Sequence, residues 1–366
     1  MKFHEYKAKE LFGDYGIPVP RGVLATSGKD IEGLDYPVVV KAQVLIGGRK
    51  KAGGVKFADS PEEASRAVDE IIGMDIRGYE VRQVLVEEAA EISKEYYLGI
   101  TIDREERAPL LMTSAEGGVE IESVPDDKIL KRHIPPFSVL PPYVLRDASK
   151  FLGLAKEEGK AFSAIARAMF RLFEKEDAEL VEINPLVLTS KGEFVAVDAK
   201  LMSDDSALYR HKEFQGMEQD LTPLEREAES KGIALIQLDG DIGVIANGAG
   251  LTMATLDMIS LKGGKGGVFL DLGGTDDPEK VKEAFRLMKK AKPSVIFLNI
   301  FGGITRCDSV AQGVKEVLDE EGIDVAVVAR IKGVHEDEAK QLLRDAGFVA
   351  VSSLERAAEE TVRLRG

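Results

Sequence analysis

Short apolar blocks rich in β-branched residues alternate with helically spaced apolar positions along the first part of the chain. Blocks that end at glycine, proline or acidic residues predict strands, and apolar residues with helical spacing predict helices. The predicted strands span residues 38–44, 55–58, 84–89, 95–102 and 108–114, and the predicted helices span residues 4–15, 60–72, 145–153 and 159–176. This part of the chain is therefore predicted to mix α and β structure.

A charged stretch poor in apolar residues, 211–232, leads into a second part in which strands and helices alternate regularly. Regular alternation of fully apolar strands with helices predicts a parallel, doubly wound sheet. The predicted strands are 233–238, 243–246, 267–272, 295–300, 325–331 and 349–352, and the helices are 251–261, 278–291, 307–320, 336–346 and 355–365. We therefore predict an α/β chain of two domains, residues 1–225 and 232–366.

The runs 179–188 and 193–200 predict an antiparallel hairpin, because both are apolar and β-branched and a turn-like segment joins them. Three oxygen-bearing side chains, Glu182, Asn184 and Asp198, interrupt these apolar runs. Side chains alternate between the two faces of a strand, so Glu182 and Asn184 share one face.

The register of the hairpin decides whether Asp198 joins that face. A three-residue loop, 190–192, places Asn184 opposite Asp198, where side chains converge. The same register places Glu182 opposite Lys200, whereas a two-residue loop sends Asn184 to the other face. Because a few hard oxygen ligands suit Mg²⁺ that carries a nucleotide, the hairpin predicts a magnesium site. A solvated hairpin face is the alternative interpretation.

A glycine loop that carries cations, residues 47–54, follows the first long predicted strand. Two glycine pairs enclose Arg49, Lys50 and Lys51. Glycine lets backbone N–H groups approach an anion closely, and cations neutralise phosphate charge. The loop therefore predicts a phosphate-binding turn, although it lacks the G-x-x-x-x-G-K-[ST] pattern of a Walker A loop. An exposed flexible turn is the alternative.

Three glycine-rich loops, 247–250, 273–275 and 301–306, follow strands of the predicted parallel sheet. Ligands of such sheets bind at the carboxyl ends of the strands. The first and third loops open onto helix N-termini, whose free N–H groups favour a carboxylate or phosphate. We therefore predict a small anionic substrate here, with tight turns that bind nothing as the alternative. The first loop lacks the third glycine of the dinucleotide fingerprint, so NAD is not expected.

Charge and cysteine content narrow the classes of function. The 366-residue chain has a formal net charge of −15, which argues against a nucleic-acid partner. A local basic loop on an acidic protein can still bind a nucleotide. The longest apolar stretch, 295–304, is too short to span a bilayer, so we expect no membrane partner. The single cysteine, Cys307, fits a reducing compartment, and we expect a cytoplasmic protein.

The histidines carry a prediction of their own. His4, His133, His211 and His335 lie in charged or turn-like segments and are predicted to be surface residues. A reaction that needs a histidine nucleophile would therefore take it from another chain.

Several motifs, occurring in order, resemble those of succinyl-CoA synthetase (succinate–CoA ligase) β subunits. They lie at residues 4–9, 40–54, 114–122, 182–186, 247–251 and 299–308, so the resemblance covers essentially the whole chain. It implies an N-terminal ATP-grasp domain followed by a flavodoxin-like ligase domain. Two positions depart from the family pattern: Lys50 stands where glycine is usual, and Thr305 stands where valine is common.

The resemblance also implies roles for particular residues. Asn184 and Asp198 match magnesium ligands, and Glu182 matches the glutamate that steadies a phosphohistidine facing the nucleotide. The positions that match the nucleotide pocket are Lys41, Gly48, Arg49, Lys50, Glu87, Ala90 and Glu95. The positions that match the acid-substrate site are Asn247, Gly303, Ile304 and Thr305.

The reaction implied by the resemblance interconverts succinate, CoA and a nucleoside triphosphate with succinyl-CoA, the diphosphate and phosphate. A phosphohistidine on an α subunit, which also holds the CoA site, would carry the phosphoryl group. Mg²⁺ and ATP/ADP are the implied cofactors, GTP/GDP stays open, and the implied assembly is αβ or α2β2. The alternatives are a malate–CoA ligase β subunit, a regulatory nucleotide-binding subunit without turnover, and a self-sufficient ATP-grasp ligase.

Overall fold

The structure is a computed structural model that describes residues 1–214, 217, 221–275, 277–303 and 306–365. The chain forms two compact units, residues 1–220 (unit 1) and 221–366 (unit 2). Among the described residues, no helix combines the length and the apolar character needed to cross a bilayer. The domain limits inferred from the sequence stay predictions, and the two units are described separately below.

The described part of unit 1 contains strands of two main antiparallel sheets and the helices that cover them. In chain order the elements are α1 (Glu5–Asp14), β1 (Gly22–Ala25), β2 (Val38–Ala42), β3 (Val55–Ala58), α2 (Pro61–Ile71), β4 (Asp75–Ile76), β5 (Tyr79–Glu80), β6 (Val84–Glu88), β7 (Ile92–Asp103), β8 (Ala108–Ser114), β9 (Leu130–His133), α3 (Pro142–Phe151), α4 (Lys156–Lys175), β10 (Ala178–Thr189), β11 (Phe194–Ala196) and β12 (Lys200–Ser203).

Each sheet of unit 1 buries one face under a helix. The first sheet has the order β1-β6-β2-β3, and the second has the order β11-β10-β7-β8-β9, with β12 also paired to β10. The predicted apolar face of α4, which includes Phe162, Met169 and Phe173, is buried in the core of the second sheet. The helical periodicity of that segment therefore predicted its packing correctly.

The hairpin of β10 and β11 has the register of a three-residue loop. The N–H of Thr189 donates to the carbonyl of Glu193 at 2.8 Å, and further along the strand Glu182 lies opposite Lys200 on β12. Residues 197–199, between β11 and β12, belong to neither strand. They lie level with Asn184, whose peptide bond to Pro185 is cis. The register that sets Asn184 across from Asp198 is therefore the one that the chain adopts.

Unit 2 contains a six-stranded sheet among its described residues, with helices between the strands. The elements are α5 (Pro223–Ser230), β13 (Ala234–Gln237), β14 (Ile242–Ala246), α6 (Ala249–Leu261), β15 (Gly266–Asp271), α7 (Pro278–Lys290), β16 (Val295–Gly302), α8 (Cys307–Glu321), β17 (Ala326–Gly333), α9 (Glu336–Asp345), β18 (Val349–Val351) and α10 (Leu354–Leu364).

The sheet of unit 2 is doubly wound, with one antiparallel edge. Its order is β13-β15-β14-β16-β17-β18, and the strands from β14 to β18 are parallel, in the flavodoxin-like arrangement that was predicted. The edge strand β13 runs antiparallel to β15, which was not predicted. Such an edge strand needs no crossover helix, because a short turn brings the chain from β13 to β14.

Two groups of sequence expectations were incomplete or wrong. The strands β1 and β9 and the helix α5 were not predicted, although Thr222 and Glu225 before and in α5 form a capping box that the sequence displays. The prediction that all four histidines lie at the surface was wrong for His4 and His211, which are 8% and 6% exposed. Each ring stacks on an aromatic ring close to it in the chain, His4 on Tyr6 and His211 on Phe214.

Candidate active site

A buried carboxylate at the start of α1 collects three cations in unit 1. Glu5 is the first residue of the helix, and its side chain is 2% exposed. Its Oε1 lies 2.9 Å from the Nζ of Lys9 and 3.0 Å from the Nζ of Lys41 on β2. Its Oε2 lies 2.6 Å from the Nη1 of Arg49 in the glycine loop. One side chain therefore ties the helix, the strand and the loop together.

A second buried carboxylate, Glu87 at the end of β6, pairs with the same two lysines. Its Oε1 is 2.6 Å from the Nζ of Lys9, and its Oε2 is 2.7 Å from the Nζ of Lys41. Both lysines also donate to the backbone carbonyl of Val197, next to Asp198. The glutamate predicted to line a nucleotide pocket is thus, in this structure, a counter-ion of Lys41.

Arg49 extends the network from the glycine loop to the hairpin. Its Nη2 lies 3.1 Å from Oδ1 of Asp198, and its Nη1 also donates to the carbonyl of Ala42 at 3.0 Å. We call the set of three acids and three cations the ionic cluster; its members are Glu5, Lys9, Lys41, Arg49, Glu87 and Asp198. The sequence predicted four of these six as site residues, and the tertiary structure brings all of them together.

Charge pairing within the ionic cluster keeps Glu5 and Lys41 ionised. Burial alone would raise the pKa of Glu5, but the cations, led by Lys9, hold that pKa well below its usual value. Burial alone would lower the pKa of Lys41, but the carboxylates, led by Glu5, raise it above the usual lysine value. Asp198 differs, because removal from water and the nearby Glu5 carboxylate raise its pKa. The cations of the cluster do not offset this rise, although the side chain of Asp198 is 41% exposed.

The glycine loop holds the remaining predicted phosphate-binding residues in a compact turn. Gly48 has a φ of +84°, a conformation that side chains other than glycine rarely adopt. Lys50 is exposed and is not one of the described residues with a positive φ. Lysine therefore takes the place of the usual glycine of the family without backbone strain. The loop thus presents Lys50 to solvent and turns Arg49 inward toward Asp198.

The side chain of Asn184 is fixed by the backbone of residues 118 and 119, in a segment that passes close to β7. Its Oδ1 accepts from the N–H of Gly118 at 2.8 Å, and its Nδ2 donates to the carbonyl of Val119 at 2.8 Å. A Cβ on Gly117 would lie only 2.6 Å from a backbone nitrogen of β7, so glycine is required for this close approach. The carboxylate of Glu95 lies against Gly118 as well, which brings two predicted site residues to one place.

The oxygen donors of Asn184 and Asp198 fit Mg²⁺ in their chemistry. Asp198 uses Oδ1 for Arg49 and for the N–H of Ala199, which leaves Oδ2 to bind a cation. The amide oxygen of Asn184 accepts one hydrogen bond and has a second lone pair. Carboxylate and amide oxygens are ligands that hard divalent cations prefer.

A separate group of metal-ligand type lies elsewhere in unit 1. Among the described histidine, cysteine and acidic residues, Glu176, His211 and Glu213 have ligand atoms within 4.8 Å of one another. The Nε2 of His211 is bonded to Asp177 at 2.8 Å, and its ring stacks on Phe214. These contacts explain why this histidine is buried, contrary to prediction, and the group contains neither predicted magnesium ligand.

Glu182 lies on the same strand as Asn184 and meets a buried tyrosine. The hydroxyl of Tyr97 on β7 donates to Oε2 of Glu182 at 3.2 Å. Burial raises the pKa of Glu182, and the opposing effects of Lys200 and of the tyrosine hydroxyl do not cancel that rise. Ala90, the last predicted residue of the nucleotide pocket, is half-buried between β6 and β7.

In unit 2 the described part of the predicted acid site gathers at the carboxyl edge of the sheet. Asn247, after β14, donates through Nδ2 to the carbonyl of Phe301 at 2.9 Å and accepts its N–H at 2.8 Å. Gly303 follows on the same loop and is exposed. Ile304 and Thr305 lie outside the described residues. The glycine loops after β14 and β16 therefore meet, as the parallel topology predicted.

The sequence missed three charged residues that organise these sites. Glu5 and Lys9 lie one turn apart on α1, a common surface pattern, and only their burial distinguishes them. Asp271 ends β15 and accepts from the N–H groups of Gly248 at 2.6 Å and Gly273 at 2.8 Å, which joins two glycine loops. An acidic residue at the end of an apolar strand was the feature of the sequence that could have identified Asp271 as a site residue.

Comparisons with known proteins agree with this architecture. Residues 2–188 match the family model of an ATP-grasp domain, and residues 245–364 match the model of a CoA-ligase domain. The fold and the site therefore define an ATP-grasp CoA ligase chain. A succinate–CoA ligase [ADP-forming] subunit beta from Ignicoccus hospitalis is 44% identical over 373 residues, which cover 100% of this chain and 99% of that protein. The chain belongs to the family of succinate–CoA ligase β subunits.

Other similar proteins extend the comparison. The subunit of the same name from Bacteroides thetaiotaomicron is 44% identical, with 98% of each chain covered. The subunit from Aquifex aeolicus is 42% identical, with 100% of this chain and 99% of that protein covered. The structure of ATP citrate lyase from Methanothrix soehngenii, in complex with citrate and coenzyme A, is similar in fold, with a TM-score of 0.68, 20% identity and 99% of each chain covered.

Proposed function

We propose that this chain is the β subunit of an ADP-forming succinate–CoA ligase. With an α subunit it would interconvert succinate, CoA and ATP with succinyl-CoA, ADP and phosphate. The proposal rests on the full-length similarity to proteins of that name and on one observation in the structure. That observation is the approach of Arg49, from the cation-bearing glycine loop, to Asp198 in the hairpin, at 3.1 Å.

The ionic cluster gives this chain the means to hold a nucleotide. Lys41 and Arg49 both pair with Glu5, which holds their positive charges close to each other. Catalysis of phosphoryl transfer depends mainly on positioning and charge neutralisation, which such fixed cations supply. Lys50, exposed on the same loop, adds a cation that can reach a phosphate.

We assign Mg²⁺ to Asn184 and Asp198 in this proposal. A bound Mg²⁺ would neutralise the charge of the nucleotide phosphates. Asp198 would contribute its free carboxylate oxygen, and Arg49, which now balances its charge, would be released toward phosphate. Asn184 would be held ready by Gly118 and Val119.

We assign the phosphohistidine and the CoA site to the α partner, in an αβ or α2β2 assembly. The exposed histidines of this chain, His133 and His335, lie on β9 and before α9, and they pair with the acidic side chains of Asp103 and Glu338. His4 and His211 are buried. Glu182 would accept a hydrogen bond from the incoming imidazole, and Asn247 and Gly303 would bind the carboxylate of the acid.

Phosphoryl transfer between subunits tests this proposal. The chain is combined with an α subunit whose histidine carries ³²P, ADP or GDP is added with Mg²⁺, and the labelled triphosphate is measured. We expect label in ATP, with loss of roughly 100-fold or more in rate for Asp198→Asn, because the negative charge of a proposed ligand is removed. Succinate and malate are then compared as acids in the complete reaction.

Glu120→Gln is the matched control, since Glu120 is 69% exposed and pairs with the exposed Lys51. Its rate should equal that of the unmodified chain. The proposal fails if label reaches neither diphosphate, or if Asp198→Asn transfers at the control rate. Formation of acyl-CoA by this chain alone would instead identify a self-sufficient ligase, and malate as the better acid would identify a malate–CoA ligase.

A further inference from the structure

Glu182 occupies the middle of the second sheet of unit 1, between two neighbouring strands. On one side it lies opposite Lys200 of β12, and on the other it lies opposite Gly99 of β7. Residues directly opposite each other in an antiparallel pair project to the same face of the sheet. The carboxylate of Glu182 therefore lies over a position that carries no side chain.

Tyr97 fills the space that Gly99 leaves. The two residues are two positions apart on β7, so they share a face, and a long side chain can reach a diagonal neighbour on the next strand. Tyr97 is 1% exposed, and its hydroxyl donates to Oε2 of Glu182 at 3.2 Å. A Cβ on Gly99 would lie 2.5 Å from this hydroxyl, so any other residue there would displace it.

The backbone around Tyr97 is also fixed. Its carbonyl accepts from the hydroxyl of Thr113 on β8 at 2.7 Å, and Thr113 is fully buried. A tyrosine in a packed core usually places its hydroxyl against a partner, since an unpaired buried hydroxyl costs free energy. Here that partner is one oxygen of a single glutamate, which leaves Oε1 of Glu182 to accept from another donor.

We propose that Tyr97 is a positioning residue for phosphoryl transfer between the subunits. Its hydroxyl holds Oε2 of Glu182, so that Oε1 receives the N–H of the α subunit's imidazole. This inference rests on the proposed function and adds to it a residue that neither the sequence motifs nor the resemblance identified. Gly99 is part of the same arrangement, because the absence of a side chain there leaves space for the tyrosine hydroxyl to reach the glutamate.

The chemistry explains why orientation matters. In the transfer, the N–P bond of the phosphohistidine breaks and an O–P bond forms to the terminal phosphate of the nucleoside diphosphate. The other ring nitrogen keeps its proton, so the glutamate takes no proton and acts by holding the ring in line. A glutamate that rotates freely holds the ring in line for a smaller fraction of the time, which slows the transfer without weakening nucleotide binding.

Tyr97→Phe tests the proposal in the complete αβ complex, because it removes only the hydroxyl. The rate of ³²P transfer from the α histidine to saturating ADP should fall about tenfold, the effect of losing one hydrogen bond to a charged group. The KM for ADP should stay within about twofold, because the hydroxyl donates to Glu182, which is not one of the residues assigned to the nucleotide. Phosphorylation of the same histidine from succinyl-CoA and phosphate should keep its rate.

The matched control is Tyr96→Phe, in the same strand and with the same atom removed. Tyr96 is 2% exposed and packs on Phe194 in the core, on the opposite face from Glu182. This variant should transfer at the unmodified rate. A second variant, Gly99→Ala, displaces the Tyr97 hydroxyl while keeping it in the chain, and should reproduce the loss caused by Tyr97→Phe.

Glu182→Gln separates this proposal from the proposed function. The double variant Tyr97→Phe/Glu182→Gln should be no slower than Glu182→Gln alone, because Tyr97 acts through the glutamate. If Glu182→Gln abolishes transfer while Tyr97→Phe behaves like Tyr96→Phe, the role of Tyr97 is wrong and the function stands. If the unmodified complex transfers no label, the proposed function itself is wrong. Additive losses in the double variant would also overturn the role of Tyr97.

Discussion

At the scale of single residues, Glu5 pairs with three cations of the site, yet its local sequence did not identify it as a site residue. It is an ordinary acidic residue in the first turn of a helix, a position favoured by the helix dipole. In the structure it is buried and contacts Lys9, Lys41 and Arg49. Removing one partner from a buried ionic network leaves charge uncompensated in a medium that solvates it poorly.

Glu5→Gln should therefore destabilise unit 1 by about 3 kcal/mol near neutral pH, the typical cost of breaking a buried ion pair. The pKa of Glu5 is lowered in the folded state, so its contribution is complete above the ordinary glutamate pKa and is lost as pH falls through the lower folded value. The difference between the two proteins should thus shrink in acid. Urea unfolding followed by tyrosine fluorescence at several pH values measures it.

The control is Glu10→Gln on the same helix, since Glu10 is 56% exposed and pairs with the half-exposed Lys7. Such a pair contributes little, so this change should cost less than about 1 kcal/mol. A Glu5→Gln protein as stable as this control at pH 7 would show that the ionic cluster contributes nothing to folding.

At the scale of elements, Glu336 at the start of helix α9 joins that helix to the end of β17. The preceding residue, His335, is in the left-handed conformation and makes no capping hydrogen bond. Instead, Glu336 accepts from the N–H of Gly333 at 2.8 Å and from the Nζ of Lys340 at 2.8 Å. The hydrogen bond from Lys340, together with that from Gly333, lowers the pKa of Glu336 to about 2.

Glu336 should therefore stay ionised in acid, where ordinary glutamates are already protonated. Because its folded pKa is lowered, its stabilising effect is present above the unfolded value and disappears as pH falls toward 2. Glu336→Gln should lower the stability of unit 2 at pH 5 to 7, and the two proteins should converge near pH 2. NMR titration of the carboxyl group and thermal unfolding across that range measure both effects.

Asp337→Asn is the control on the same helix. The side chain of Asp337 is 93% exposed, and its Oδ1 is 4.0 Å from the Nζ of Lys340, which is too far for a strong interaction. It should change stability little at any of these pH values. A carboxyl of Glu336 that titrates in the ordinary glutamate range would contradict the geometry described here.

At the scale of the whole molecule, each compact unit has its own core and contains a residue type whose signal can report the unfolding of that unit. All eight tyrosines lie in residues 1–220, and the single cysteine, Cys307, lies in residues 221–366. Cys307 is fully buried, and burial raises its pKa, so the native thiol should resist modification. Tyrosine fluorescence thus follows unit 1, and thiol labelling follows unit 2, in one intact protein.

A core truncation in one unit should shift only the reporter of that unit. Phe285 is fully buried in unit 2 and Phe162 is fully buried in unit 1, so Phe285→Ala and Phe162→Ala form a matched pair. Each should cost about 3–5 kcal/mol through the cavity that it leaves. Phe285→Ala should move the urea midpoint for Cys307 labelling, and Phe162→Ala should move the tyrosine transition.

The two transitions are compared in the same samples. If either substitution moves both reporters equally, the chain unfolds as one cooperative body and the independence of the two cores is refuted. A native Cys307 that reacts as fast as an unfolded one would show instead that the reporter is unsuitable because the thiol is accessible.

Local patterns in the sequence determined most of the elements. Helical periodicity and apolar strand blocks depend on neighbouring residues, so α4 and the parallel strands of unit 2 followed from them. The hairpin itself was predicted, but its register was left open between two loop lengths, and strand pairing decided it. The antiparallel β13 was missed, because an apolar block does not carry its own direction.

Only the tertiary structure decided which charges meet. Arg49 and Asp198 are 149 positions apart, and Lys9 and Glu87 are 78 apart, so no spacing rule links them. Tyr97 meets Glu182 because two strands pair in one register and a glycine leaves room between them. The chain alone specifies which residues can carry charge or accept a hydrogen bond; burial and strand pairing select the few that do so together, because both arise from contacts between distant segments.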